Sequence, residues 1–141
     1  MEKQIIDDKI KELFISSRVI ALVGASKKKE KDSNIVMKFL QKSGYKVIPV
    51  NPTCVNDTIH GERVYGSLLD IKEKVDIVDV FRPSEEAEEI ANQTIKIGAN
   101  VLWLQLDIQN NNARDLVMKN KIYYIGNKCT KIEFERVFRG V

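Results

Sequence analysis

Histidine and cysteine are scarce in this sequence, and their scarcity narrows the chemistry. His60 is the only histidine, and the two cysteines, Cys54 and Cys129, lie far apart. No CxxC pair and no His–His spacing exists from which to build a zinc site. A Ser–His–Asp arrangement would have to draw on His60, in the loop-like stretch "TIHGERV". Long apolar runs are missing too, so no segment is expected to span a membrane. The N-terminal "MEKQIIDDKIKELF" is charged and amphipathic where a signal peptide carries an apolar core, so a cytoplasmic protein with reduced thiols is expected. Neither sign of charge dominates: 23 Lys and Arg against 20 Asp and Glu leave +3. So weak a field gives no reason to expect nucleic acid as a partner, and aromatics are not interleaved with the lysines as a base-stacking surface requires.

Apolar residues, by contrast, suffice for a core. With 43% hydrophobic and 30% charged residues over 141 positions, the composition is that of a globular protein, and residues 1–141 are expected to form one domain without disulfides or metals. Ile6, Ile10, Leu13 and Phe14 fall at helical spacing, which predicts an amphipathic first helix within residues 1–17. "RVIALVG", "YKVIPV", "VDIVDVF", "NVLWLQL" and "KIYYIG" read as strands, the first of them central and buried on both faces. Helical patterns alternate with them: one capped by Ser33 and ended by Gly44, one capped by Ser84 and ended by Gly98, one over "NNNARDLVMKN", and a short last one from about Lys131. This alternation predicts an α/β fold, a single doubly wound parallel sheet of Rossmann-like type, with ligands at the carboxyl ends of the strands.

The stretch "VIALVGASKKKEKDSNIV" carries the strongest functional signal. A strand ends in Gly24-Ala25-Ser26, a loop with four lysines among Lys27 to Lys31 follows, and a helix begins. Glycine lets the backbone approach a ligand, and a helix start presents unpaired N–H groups, so an anion such as phosphate is expected there. A nicotinamide or flavin dinucleotide is disfavoured: no G-x-G-x-x-G is present, and the second strand ends "VIPVNP" without the acid that holds a ribose hydroxyl. The G-K-[ST] of a P-loop is also missing. These features suit a more highly phosphorylated ligand.

The order and spacing of "IALVGAS", "GYKVIPVNP", "IHGERVYGSLLDI", "VDIVDVFRPSEEA", "GANVLWLQLDI" and "IGNKCTKIE", from about Val19 to Glu133, resemble the YccU-like CoA-binding domain family. That family is similar to the CoA-binding domain of succinyl-CoA synthetase α subunits. The resemblance implies a Rossmann-type fold with coenzyme A, as ligand, across the ends of the first strands. Gly24, Ala25 and Ser26 match the phosphate turn, and Lys27, Lys28 and Lys29 the loop beside it; Ser33 opens the helix that follows. Asn51, Pro52 and Thr53 match the segment lining the nucleotide, and Phe81, Arg82 and Pro83 the adenine and phosphate side. Gln105 and Leu106 match the turn nearer the pantetheine arm, and Asn127 and Cys129 a turn after the last strand. The chain departs from the family in its first-loop lysines, at Asp107, where the family has Gly, and at Thr130, where it has Pro.

Other residues read as structural. Trp103 lies mid-strand and reads as core, His60 as a loop residue, Cys54 and Cys129 as packing, and Glu85, Glu86, Glu88 and Glu89 as a solvated helix face. No acid, base and nucleophile converge. The expected function is therefore non-catalytic binding of coenzyme A or an acyl-CoA, with a protein partner possible. A subunit of a CoA ligase or transferase completed by another chain is one alternative, and a nicotinamide-binding redox sensor another.

Overall fold

A computed structural model describes residues 2–139, with side chains from residue 6 onward. After helix α1 (Glu2–Ser16), the chain alternates through β1 (Val19–Val23), α2 (Asp32–Lys42), β2 (Lys46–Val50) and a hairpin, β3 (Thr58–Ile59) with β4 (Glu62–Arg63). It continues as β5 (Ile77–Val80), α3 (Ala87–Lys96), β6 (Val101–Leu104), α4 (Asn111–Lys119), β7 (Tyr123–Ile125) and α5 (Thr130–Arg139). Five strands form one sheet in the order β2-β1-β5-β6-β7, and every pairing is parallel.

Parallel strands covered on both faces read as unbroken apolar runs, because both sides of the pleat meet a helix. Ile20, Leu22, Val47, Ile77, Val101 and Trp103 pack with Ile10, Phe14, Met37 and Leu40 from α1 and α2. Their strand neighbours Ala21, Val23, Val78, Val80, Leu102 and Leu104 pack on Ala87, Ile90 and Ala91 of α3 and Val117 of α4. Trp103 is fully buried and its Nε1 donates to the Lys128 carbonyl at 2.8 Å, which satisfies the one polar atom that its burial would strand. Full burial of side chains of this size is worth about 1.5–3 kcal/mol each.

β1 is paired on both sides, as expected of a central strand, and β5 is the middle of the five. Several other expectations need correction. Ser33 does not cap α2: Lys31 holds that position without a side-chain bond, and Ser33 is buried inside the first turn. Ser84 does not cap α3 either. It opens a short 3₁₀ turn, and its Oγ accepts from the Gln109 N–H at 3.1 Å, tying that turn to the β6–α4 loop. Ile6 ends the apolar stripe of α1 at 42% exposed, while Ile10, Leu13 and Phe14 are buried.

Candidate functional site

Strand order locates the site. From β1 the chain moves to β2 on one side and then returns to β5, β6 and β7 on the other, so the direction of winding reverses between β1 and β5. Helices leave that point on opposite faces and open a crevice at the carboxyl ends of the two strands, where ligands of doubly wound sheets bind. Gly24 and Phe81 stand at those two ends. Gly24 has φ +89°, and a Cβ there would come within 2.7 Å of the Phe81 carbonyl oxygen, so only glycine lets the β1 turn lie against the end of β5.

The turn spends its first two donors internally. The N–H groups of Gly24 and Ala25 both point at the Val50 carbonyl, at 2.9 and 3.3 Å, and Ala25 is buried. The N–H of Ser26 and those of Asp32 and Ser33 at the start of α2 donate to no acceptor among the described residues. Ser26 Oγ accepts from the Lys28 N–H at 3.1 Å, leaving its own hydrogen free to donate outward. The free donors of this turn thus start at Ser26, two residues after the glycine. Asn51 bolts the neighbouring strand to the turn: its amide donates to the Ala25 carbonyl at 2.8 Å while its Oδ1 accepts from the N–H and hydroxyl of Thr53.

A second brace comes from the β3–β4 hairpin. His60 (φ +47°) and Gly61 (φ +83°) form its two-residue turn. His60 Nε2 lies 2.8 Å from Asn34 Oδ1, and Asn34 Nδ2 donates to the Ser26 carbonyl at 2.8 Å. Because the Asn34 nitrogen is committed to that carbonyl, its oxygen faces the ring and His60 Nε2 is the donor. The imidazole supports the Gly24–Ser26 turn through Asn34 and lines neither cleft described below.

Two clefts flank the Gly24–Phe81 contact. The first, about 470 Å³, lies between the ends of β1 and β2, the Gly66–Leu68 segment and α3, with Asn51, Pro52, Thr53 and Arg82 on its walls. Glu85, Glu86 and Glu89 of the expected solvated face also line it. Arg82 is spoken for: its Nε and a terminal nitrogen donate to the two oxygens of Glu86 at 3.0 and 2.6 Å. That pairing raises the guanidinium above its ordinary range and lowers the carboxyl of Glu86. Three carboxylates against one paired arginine make this cleft a poor seat for phosphates, since like charges about 4 Å apart repel by roughly 4 kcal/mol near a protein surface. It suits a group that donates hydrogen bonds, such as sugar hydroxyls or a base amino group.

The second cleft, about 430 Å³, lies on the opposite face between the start of α2, the ends of β5 and β6, and α5. Phe81, Gln105, Leu106 and Cys129 reach it. Burial pushes the Cys129 thiol up, partly offset by the N–H groups of Ile132 and Lys131, so it stays protonated and is no ready nucleophile.

Sequence comparison bears on what such a crevice holds. The family model described as a CoA binding domain matches residues 18–135. This chain belongs to that family. The CoA-binding domain is 36% identical over 123 residues to the protein YneT of Bacillus subtilis (strain 168), covering 87% of this chain and 90% of YneT. A solved structure of a hypothetical protein from Pyrococcus horikoshii OT3 superposes with a TM-score of 0.89 at 40% identity, covering 93% of this chain and 91% of that one. The ADP-forming acetate–CoA ligase of Methanocaldococcus jannaschii is 28% identical over 122 residues, which are 80% of this chain but only 17% of the ligase.

Within the CoA-binding domain, the anticipated residues divide. Gly24, Asn51, Pro52, Thr53 and Arg82 meet at the first cleft, and Phe81, Gln105, Leu106 and Cys129 at the second. Ala25, Ser26, Lys27, Lys28, Lys29, Ser33, Pro83 and Asn127 line neither. Asn127 has a locking role instead, accepting from the Asp107 N–H at 2.7 Å. Lys27 is drawn away by Asp57, its Nζ 2.8 Å from the carboxylate, which leaves Lys28 and Lys29 as the exposed cations of that trio without an ion-pair partner among the described residues. Asp107 has φ +67°, the left-handed backbone that glycine adopts at least cost, and its side chain is exposed outside both clefts.

A polar cluster under the second cleft went unanticipated. Asp79, fully buried in the middle strand, accepts from Gln105 on one oxygen and from the Thr130 hydroxyl at 3.0 Å on the other, and Gln105 also donates to Thr130 at 3.0 Å. Desolvation pushes Asp79 up to about 7 against the lowering effect of its two donors. The sequence signal was a lone carboxylate inside "IVDV".

Proposed function

We propose that this domain binds coenzyme A or an acyl-CoA across the switch point and performs no reaction on its own. The supporting observation is a pair of clefts on either side of Gly24 and Phe81, the one on the β2 side carrying Asn51 and three glutamates as hydrogen-bond acceptors and the one on the β6 side lined chiefly by aliphatic side chains. A ligand with a nucleoside at one end, phosphates in the middle and a long neutral arm at the other fits that division. The adenine goes to the first cleft, where the glutamates accept from its amino group, and the ribose turns its 3′-phosphate out of that cleft toward the lysine loop. The phosphates lie over Ser26 and the start of α2, with Lys28 and Lys29 adding charge. The pantetheine arm leaves past Phe81 toward Gln105 and Leu106. With its thiol protonated, Cys129 is no obvious nucleophile, which favours binding over catalysis.

A thermal-shift panel of CoA, acetyl-CoA, NAD, NADP and ATP tests this. A ligand held only by the folded state adds about 2.7 kcal/mol at one hundred times its Kd, so CoA and acetyl-CoA are expected to raise the melting temperature by several degrees while NAD and NADP do not. A shift with NAD and none with CoA overturns the proposal. The resemblance to one sixth of an acetate–CoA ligase supports a second reading, a CoA-holding subunit that acts in the cytoplasm with a separate nucleotide-using chain. Ligase activity that appears only when such a chain is added to this one would favour it.

A further inference from the structure

We infer that the second cleft is an acyl compartment that selects acyl-CoAs with a neutral, apolar acyl group over free CoA. The inference rests on the CoA reading above and names the ligand more closely. Three large aliphatic side chains, Ile35, Leu106 and Ile132, stand 46, 52 and 49% exposed, and all three line this one cleft. They come from α2, the β6 end and α5, three elements that the fold brings together only here. Val36, Ile108 and Phe81 extend the apolar wall. A cleft of about 430 Å³ is of the size that holds small ligands.

Charge decides which acyl group. The one cation at the cleft, Lys131, has its Nζ 3.1 Å from Glu135, and Asp32 adds a carboxylate on the opposite wall. An acyl group ending in a carboxylate would meet Asp32 with no free cation to offset it, whereas an alkyl chain needs none. The polar atoms at the floor are satisfied among themselves: Gln105 is held by Asp79 and Thr130, so a hydrocarbon tail would not rob a buried group of its partner.

Isothermal titration of the full chain with CoA, acetyl-, butyryl-, hexanoyl- and succinyl-CoA tests the assignment. Each methylene buried is worth about 0.8 kcal/mol, close to fourfold in affinity, so hexanoyl-CoA is expected to bind at least tenfold tighter than acetyl-CoA, and succinyl-CoA no tighter than CoA. Ile132→Ser, at an exposed position, should keep the melting temperature and collapse the hexanoyl-to-CoA affinity ratio toward one. If CoA binds and lengthening the acyl chain brings no gain, or succinyl-CoA binds best, the acyl compartment is refuted while the CoA reading stands. If no member of the series binds, both fall. If light scattering shows a dimer that Ile132→Ser dissociates while the affinity ratio is unchanged, this face is an interface between copies and the inference is overturned.

Discussion

Gly24 and Asp79 bear the most specific demands at the scale of single residues. Gly24 combines a positive φ with a backbone carbonyl, that of Phe81, 2.7 Å from where a Cβ would sit. Gly24→Ala is therefore expected to cost about 1–3 kcal/mol from backbone strain alone, read as a lower denaturant midpoint, and to weaken CoA binding by displacing the turn. Asp79 bears on pH. Its folded pKa of about 7 lies above the ordinary 3.8, so between about pH 4 and 7 the folded state holds a proton that the unfolded state has released. Stability then falls as pH rises through that window. Asp79→Asn should abolish that slope and leave the mutant the more stable of the two above pH 7. Denaturant midpoints at pH 4.5, 6 and 7.5 check this; an unchanged slope in the mutant would mean that another group is responsible. Gly24 was legible as a tight turn because a glycine that ends an apolar strand is a local signal. Asp79 was not legible as part of a cluster, because its partners Gln105 and Thr130 are 26 and 51 residues away.

Elements were legible where periodicity was strong and less so at their ends. The five strands of the sheet and the stops at Gly44 and Gly98, both with positive φ, follow from apolar runs and glycine. Ser33 and Ser84 look like N-caps, yet burial claims the first and the β6–α4 loop the second. A cap is decided by which backbone groups tertiary packing leaves unpaired, and that is not written locally. The lysine loop shows the same limit. Three adjacent lysines read as equivalent, but the segment just before β3 supplies Asp57 to Lys27 alone. The double change Lys28→Gln with Lys29→Gln should therefore flatten the salt dependence of CoA affinity, because exposed charges act over a Debye length of about 8 Å at physiological salt. Lys27→Gln should alter it little. A salt slope that responds only to Lys27 would show that the ion pair opens on binding.

At the scale of the whole molecule, the reversal of winding between β1 and β5 turns a common fold into a particular crevice. Alternating strand and helix patterns announced the parallel sheet, and a continuously apolar run announced an interior β1, but the full strand order is a matter of which edges pair. The glutamates of the first cleft and the apolar rim of the second were hidden for a related reason: each cleft is assembled from segments distant in the chain. The account's central claim is that one CoA lies across both clefts with Gly24 and Phe81 beneath it. Backbone amide chemical-shift mapping by NMR, with CoA titrated into the isotopically labelled protein, tests that claim most directly. The account predicts that the largest shifts fall on residues 24–33, 51–53, 81–86 and 105–106, on both sides of the sheet; shifts confined to one cleft, or clustered at the amino ends of the strands, would contradict it.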